Sequence, residues 1–229
     1  MLFDRIYPGY DAGGTGVCFF RTGSETGQDR RNKAISQAVG SCLNTKNKEW
    51  RIEKMYIELQ TKRLRLRPFR MEDLQSLFEY SGDRENIRYM MFLPHESLAE
   101  AERFLREAIG EWEKEEPSYY EFAMELDGKV IGTMSAYKED GGAEVEFGWV
   151  LHKDYRGQGY AAEAALAVKK FAVETLKPKL LVAHCDKRNP ASAKVMERIG
   201  LTFAGEGTRE YRSGEKAAEL AYVEWLERN

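Results

Sequence analysis

The chain has 229 residues, 42% of them apolar, which is enough for one well-filled domain. Its net charge of −3 hides a basic stretch over residues 1–54 and an acidic remainder, a balance that argues against direct nucleic-acid binding and mildly favours amines. No run reaches the roughly 18 apolar residues of a membrane helix, the opening MLFDRIYPGYDAGG lacks the pattern of a secretion signal, and Cys18, Cys42 and Cys185 show no CxxC spacing. The expectation is a cytoplasmic protein with reduced thiols, no membrane partner and no metal.

Residues 1–54 show no sustained period and read as a disordered or artefactual N-terminal extension. Lys48-Glu49 and Trp50-Arg51 can be written in codons resembling a ribosome-binding site, so translation is expected to start at Met55, with 55–229 as the domain. Leu64, Leu66 and Pro68 then alternate with Arg63, Arg65 and Arg67, a half-buried strand. MEDLQSLFEYSGD follows at helical spacing, and Ser97 with Glu100 forms a capping box opening a helix through Trp112. From Tyr120 the period becomes two. Asp127-Gly128 and Gly141-Gly142 are turns between three strands, the last of them 143–151. A helix from near Tyr160 closes before Pro178, 179–185 is an apolar strand, Asn189-Pro190 opens another helix, and 201–206 and 217–226 are strands about a Ser213-Gly214 turn. The order is β-α-α-β-β-β-α-β-α-β-β.

The segment YRGQGYAAEA, 155–164, lies where a strand ends and a helix begins, so unpaired N–H groups and a positive helix end meet there. Glycine at 157 and 159 removes side chains that would hold a phosphate off the backbone, and Arg156 offers a permanent planar donor. A plain turn is the competing reading. The dinucleotide fingerprint is matched literally by Gly157, Gly159 and Ala162, but the preceding strand is third in a meander and carries Glu144 and Glu146. A Walker loop needs GK(S/T), which is missing.

RGQGYA, 156–161, resembles the (R/Q)xxGx(G/A) signature of the GNAT acyl-CoA N-acyltransferase superfamily. TKRLRLRPFRMEDL, VEFGWVLHKDYRGQGYAAEA and RNPASAKVMERIGLTFAGE resemble its Rim-type branch, the ribosomal-protein N-acetyltransferases, and the likeness runs from about Glu58 to Trp225. The resemblance implies a single α+β domain with a mixed, mostly antiparallel central sheet flanked by helices. It implies acetyl-CoA as co-substrate, its pyrophosphate on the N–H groups of Arg156, Gly157, Gln158, Gly159, Tyr160 and Ala161, its pantetheine arm along Val150 and Leu151, and Asn189 and Ser192 beside it.

For the base, Glu146 is the first candidate, with Glu144 on its face; a solvated strand carboxylate is the bland alternative. Glu210 in REYRSGE matches an acidic residue of the Rim-type branch, or is a surface charge beside a hairpin. The tyrosine that often follows the motif asparagine is replaced by Met196, which donates no proton, so Ser192 is the expected acid. Asn189 and Ser192 also fit a plain helix cap. His95, His152 and His184 read as loop or strand-end residues, and Cys185 as a buried spectator. Tyr89, Phe92, Trp112, Tyr119 and Tyr120 are expected in the core and the acceptor-cleft wall. The activity implied is acetyl transfer to a primary amine, most of all a protein N-terminus. The alternatives are a small-molecule acceptor (polyamine, aminoglycoside or amino acid) and a non-catalytic acyl-CoA sensor. The protein is expected as monomer or homodimer.

Overall fold

The computed structural model describes residues 57–226; the expected extension over 1–54 and the start at Met55 lie outside them. The strands are β1 (Leu59–Gln60), β2 (Arg65–Pro68), β3 (Tyr119–Leu126), β4 (Lys129–Glu139), β5 (Glu144–Leu151), β6 (Leu180–Asp186), β7 (Thr202–Glu210) and β8 (Lys216–Trp225). The helices are α1 (Leu74–Ser81), α2 (Leu98–Trp112), α3 (Tyr160–Phe171) and α4 (Pro190–Arg198). One eight-stranded sheet runs β1-β2-β3-β4-β5-β6-β8-β7, with only β5 and β6 parallel. The expected order is found with β1 added, a strand too short to show a period.

Local chemistry explains the joints. Asp127 and Gly128 both take positive φ (49° and 82°), the twist a tight hairpin requires. At α2, Ser97 Oγ accepts the Glu100 N–H at 3.3 Å, while the Glu100 carboxylate takes the N–H of Glu96 at 2.8 Å, one residue earlier than a capping box. After α3 the chain widens into a π turn over Ala172–Leu176 and stops at a left-handed Lys177, because Pro178 bars further helix.

The two faces of the sheet are covered differently. Val145, Phe147, Leu181, Ala183 and Cys185 pack with Ala164, Ala165 and Val168 of α3 and Met196 of α4. On the other face Leu77 and Tyr80 of α1 and Ala101, Leu105 and Ala108 of α2 pack on Ala123 and Val130. Here the half-buried reading of β2 is corrected. Arg67 is only 3% exposed, because its guanidinium reaches Asp73 at 2.7 and 2.9 Å and Glu125 at 2.5 Å. Their hydrogen bonds and charges hold the Arg67 pKa above its ordinary value although burial opposes them. A buried arginine is tolerated because its charge is matched on both sides.

The β5–β6 ladder is short. It pairs Glu144 with Leu180 through Phe147 with Ala183 and ends there. Beyond it β5 stays paired to β4 as far as Leu151, and β6 to β8 as far as Asp186. The sheet therefore opens along one seam while both halves remain laddered, and Gly148–Leu151 has no strand partner on that side among the described residues, Leu151 O accepting Arg156 Nε at 3.4 Å.

At this opening Gly132 of β4 allows a close approach: an added Cβ would stand 2.3 Å from Val150 O and 3.1 Å from Leu151 Cα. Gly132→Ala is predicted to lower stability by about 1–3 kcal/mol in urea unfolding, since backbone must move. Gly110→Ala in α2 meets nothing within 4 Å and is predicted to gain about 0.5–1 kcal/mol from helix propensity. Equal effects from the two would contradict this account of Gly132.

Candidate active site

β5 leads through a short turn, Lys153–Tyr155, into the glycine loop and α3. Gly157 and Gly159 have φ of 78° and 84°. A Cβ on Gly157 would meet nothing within 4 Å and one on Gly159 only Arg63 Nη2 at 3.6 Å, so within the chain the glycines supply backbone conformation. The N–H groups of Gly157, Gln158 and Gly159 make no hydrogen bond among the described residues. Those of Tyr160 and Ala161 open the first turn of α3, where a helix has no partners of its own.

Arg156 is engaged within the chain. Its N–H donates to Lys153 O at 3.2 Å, and its Nη2 donates to Asn86 O at 2.6 Å, so the guanidinium braces the α1–α2 loop. Asn86 itself is 4% exposed, and its side-chain Nδ2 and Oδ1 are buried without a partner among the described residues.

Three residues that sequence reasoning missed fix the loop. The Glu163 carboxylate accepts Thr61 Oγ1 at 2.6 Å, the Arg63 N–H at 2.8 Å and Arg63 Nε at 2.7 Å. Arg63 Nη1 donates to Gln158 O at 3.0 Å, and its guanidinium lies 4.2 Å over the Tyr160 ring. Burial would raise the Glu163 pKa, but the bonds from Thr61 and Arg63 outweigh it and hold the carboxyl below its ordinary range. No local pattern announces a contact across a hundred residues of chain.

The second half of the site lies on the seam. Glu146 is paired in register with Val182, and His184 follows on the same face of β6. His184 Nδ1 and Glu146 Oε1 are 3.1 Å apart. Burial lowers the His184 pKa, yet the hydrogen bond and charge of Glu146 together overcome it, so the net direction is upward. An ionised carboxylate only accepts, so the neutral ring carries its proton on Nδ1 and leaves Nε2 as its lone pair. His184 thus lies near the end of β6 as expected, with Glu146 as its partner there.

Beside them on β3 and β4, Glu121 is 2% exposed and accepts Ser135 Oγ at 2.6 Å and Tyr137 OH at 2.5 Å. Burial pushes its pKa up against these bonds. A Cβ added at Gly148 would pack against Tyr137 at 3.6 Å and Ser135 at 3.8 Å.

The remaining candidates separate. Asn189 caps α4, accepting the Ser192 N–H at 3.3 Å, and its Nδ2 donates to Ser192 Oγ at 3.1 Å, with Pro190 opening the helix. Met196 is fully buried in the core. Glu210 is not brought to Glu146: alternation along β7 and β8 puts it on the opposite face of the sheet, where it is exposed and 3.4 Å from Lys216. Burial pushes the Cys185 thiol up to about 11, an inert thiol. His95 meets Ser81 Oγ at 2.8 Å and His152 caps the turn after β5. Trp112 and Tyr120 are core residues. Among the described residues no cluster of His, Cys, Asp or Glu could hold a metal, and no helix is long and apolar enough to cross a membrane.

A helix-terminal anion cradle beside a splayed parallel pair defines a class, and comparison with known proteins agrees. Residues 63–202 match the acetyltransferase (GNAT) domain family, and the chain belongs to this family of acyl-CoA-dependent acetyltransferases. The uncharacterised N-acetyltransferase YnaD of Bacillus subtilis is 29% identical over 151 residues, covering 65% of this chain and 85% of that protein. Spermidine N(1)-acetyltransferase of Escherichia coli is 24% identical over 149 residues, covering 65% and 77%. The microcin C7 self-immunity acetyltransferase MccE, solved with acetyl-CoA and AMP, shares the fold at a TM-score of 0.64 and 15% identity, covering 72% of this chain and 93% of that one.

The histidine yields a direct test. In an NMR titration His184 is predicted to have its midpoint above the ordinary ~6.5, and Glu146→Gln to bring it below that value, since burial then acts without the carboxylate. The stability contributed by the pair should be complete below about pH 6.5 and lost as pH rises through the raised midpoint. An unchanged midpoint in the variant would show that the two side chains do not interact.

Proposed function

We propose that this chain transfers acetyl from acetyl-CoA to the N-terminal amine of a protein, with Glu146 and His184 acting as one proton-accepting unit. The observation carrying this is the 3.1 Å contact between them at the last rungs before the seam opens. Acetyl-CoA supplies the activated acetyl thioester. The residues fit such a ligand: the N–H groups of Gly157, Gln158, Gly159, Tyr160 and Ala161 would take the diphosphate. The unladdered edge at Val150 and Leu151 would take an amide-bearing arm as an added strand. Asn86, with donor and acceptor both unspent, could meet such an arm as well.

The chemistry of the amine favours a protein N-terminus. An α-ammonium has a pKa near 8 and a side-chain ammonium one near 10.4, so at neutral pH deprotonation costs about 1.4 kcal/mol for the first and nearly 5 for the second. A histidine whose pKa is raised by a neighbouring carboxylate is a better base for the smaller task than for the larger. Glu146 holds the ring by Nδ1, and Nε2 takes the amine proton, directly or through water. Ser192, its Oγ held by Asn189, is the group proposed to steady or protonate the leaving thiolate in place of the tyrosine that Met196 displaces. Glu210 has no part, being exposed beside Lys216 near the β7–β8 turn.

The relation to spermidine N(1)-acetyltransferase supports a second reading, a polyamine acceptor. Thiol release measured with peptides bearing free N-termini and with spermidine separates the two, peptides being expected to react faster. Glu146→Gln is predicted to lower kcat about 10²–10³-fold, and the wild-type rate to rise with pH through the His184 midpoint. A variant with near wild-type kcat and the same pH profile would remove the pair from the mechanism. Binding of acetyl-CoA with no thiol release from any amine would establish the sensor reading instead.

A further inference from the structure

We infer that Asn86 is a further substrate-binding residue, its carboxamide pairing with a secondary amide of the substrate that enters the open seam. This rests on the acetyl-transfer reading above and specifies the group that one more side chain reads. Asn86 is 4% exposed, and neither its Nδ2 nor its Oδ1 has a hydrogen-bond partner among the described residues. Buried polar atoms are nearly always paired, so a carboxamide with donor and acceptor both unspent calls for a cause.

Local structure supplies none. The turn after α1 is closed by Asp83, whose Oδ1 accepts the N–H of Glu85 at 2.9 Å and that of Asn86 at 3.3 Å. Asp83 O accepts the Ile87 N–H at 3.1 Å, and the Asn86 carbonyl accepts Arg156 Nη2 at 2.6 Å. The main chain of Asn86 is thus spent on both sides, while its side chain neither caps a helix nor closes the turn. A leucine, of the same branched shape, would fill this place with no atom unpaired. The amide is kept for a partner outside the chain.

Position narrows that partner. One guanidinium joins the loop to the seam, since Arg156 donates through Nε to Leu151 O at 3.4 Å as well as through Nη2 to Asn86 O. Lys153 Nζ reaches Asp83 Oδ2 at 2.5 Å and ties the same loop to the same turn. The loop carrying Asn86 is therefore held a guanidinium's breadth from the stretch of β5 beyond the parallel ladder. The arm of acetyl-CoA carries secondary amides, whose C=O and N–H complement Nδ2 and Oδ1. In the arrangement described the carboxamide is covered, and the long Arg156 contact at Leu151 is the tie that yields as the arm seats on that edge. The main chain of a peptide acceptor carries the same group.

The direct test is calorimetric titration of acetyl-CoA, and of its amide-free nucleotide half adenosine 3′-phosphate 5′-diphosphate, into the wild-type protein and Asn86→Leu. Urea unfolding and initial rates on a peptide and on spermidine accompany it. The variant is expected to unfold at no lower urea concentration, since no polar atom is left unpaired. It should bind acetyl-CoA about tenfold more weakly, the loss of one such contact, and bind the nucleotide half unchanged. Full acetyl-CoA affinity with an about tenfold fall in kcat/KM on the peptide alone would support the site and identify the amide as the acceptor's main chain, which spermidine lacks. Equal weakening of acetyl-CoA and its nucleotide half would show that Asn86 acts only through the Arg156 turn, and unchanged affinities and rates would show that it has no ligand. Either result overturns the assignment and leaves acetyl transfer standing. Asn86→Ala carries the same comparison should the leucine variant fail to fold. A wild-type protein that binds no acetyl-CoA would overturn the transfer reading and this assignment with it.

Discussion

The parallel ladder between β5 and β6 that stops at Phe147 and Ala183 is the constraint on which the rest depends. Had it continued, the edge of Gly148–Leu151 would be spent on β6 and no polar strand edge would be left for a ligand. Because it stops, β5 delivers three things in succession. Glu146 faces the seam opposite Val182, Val150 and Leu151 lie beyond the last rung of the parallel ladder, and the chain then turns at Gly157 and Gly159 into the positive end of α3. Gly132 lets β4 lie close enough to hold β5 in this course.

Two polar networks keep the opening in shape. At the cradle, Glu163 gathers Thr61 and Arg63, joining the residues beside β1 and β2 to the first turn of α3. At the end of β6, Asp186 is fully buried. Burial would raise its pKa, but the Arg188 and Tyr211 hydrogen bonds bring it down to about 2. Both carboxylates are ionised at neutral pH and satisfied on several sides, so losing one partner leaves a buried charge exposed to its full desolvation cost. The site stands on groups that are costly to disturb and remote from one another in sequence.

Elements whose signals are local were legible in the chain. The helix caps at Ser97 and Asn189, the Asp127-Gly128 hairpin and the strand-to-helix glycine loop each follow from neighbouring residues, and each is found within a residue or two. What sequence could not show depends on register between distant strands. His184 looks idle until β6 is laid beside β5; Arg67 looks solvent-facing until Asp73 and Glu125 close over it. Arg156 looks free until the carbonyl of Asn86 claims it. Glu210 failed for the reverse reason: its motif context was suggestive, but strand alternation turns it to the other side of the sheet. The family resemblance gave the glycine loop its ligand, whereas the pairing of a carboxylate with a histidine came only from the fold.

The account turns on whether bare backbone before α3 grips acetyl-CoA. Calorimetric titration of acetyl-CoA into the wild-type protein and into Gly157→Val/Gly159→Val measures this most directly, with circular dichroism confirming that the variant stays folded. The expected result is one-to-one binding by the wild-type protein and a loss of about tenfold or more in the variant, because L side chains rarely adopt the positive φ held at both positions. No heat from the wild-type protein, or an affinity that survives both substitutions, would contradict it.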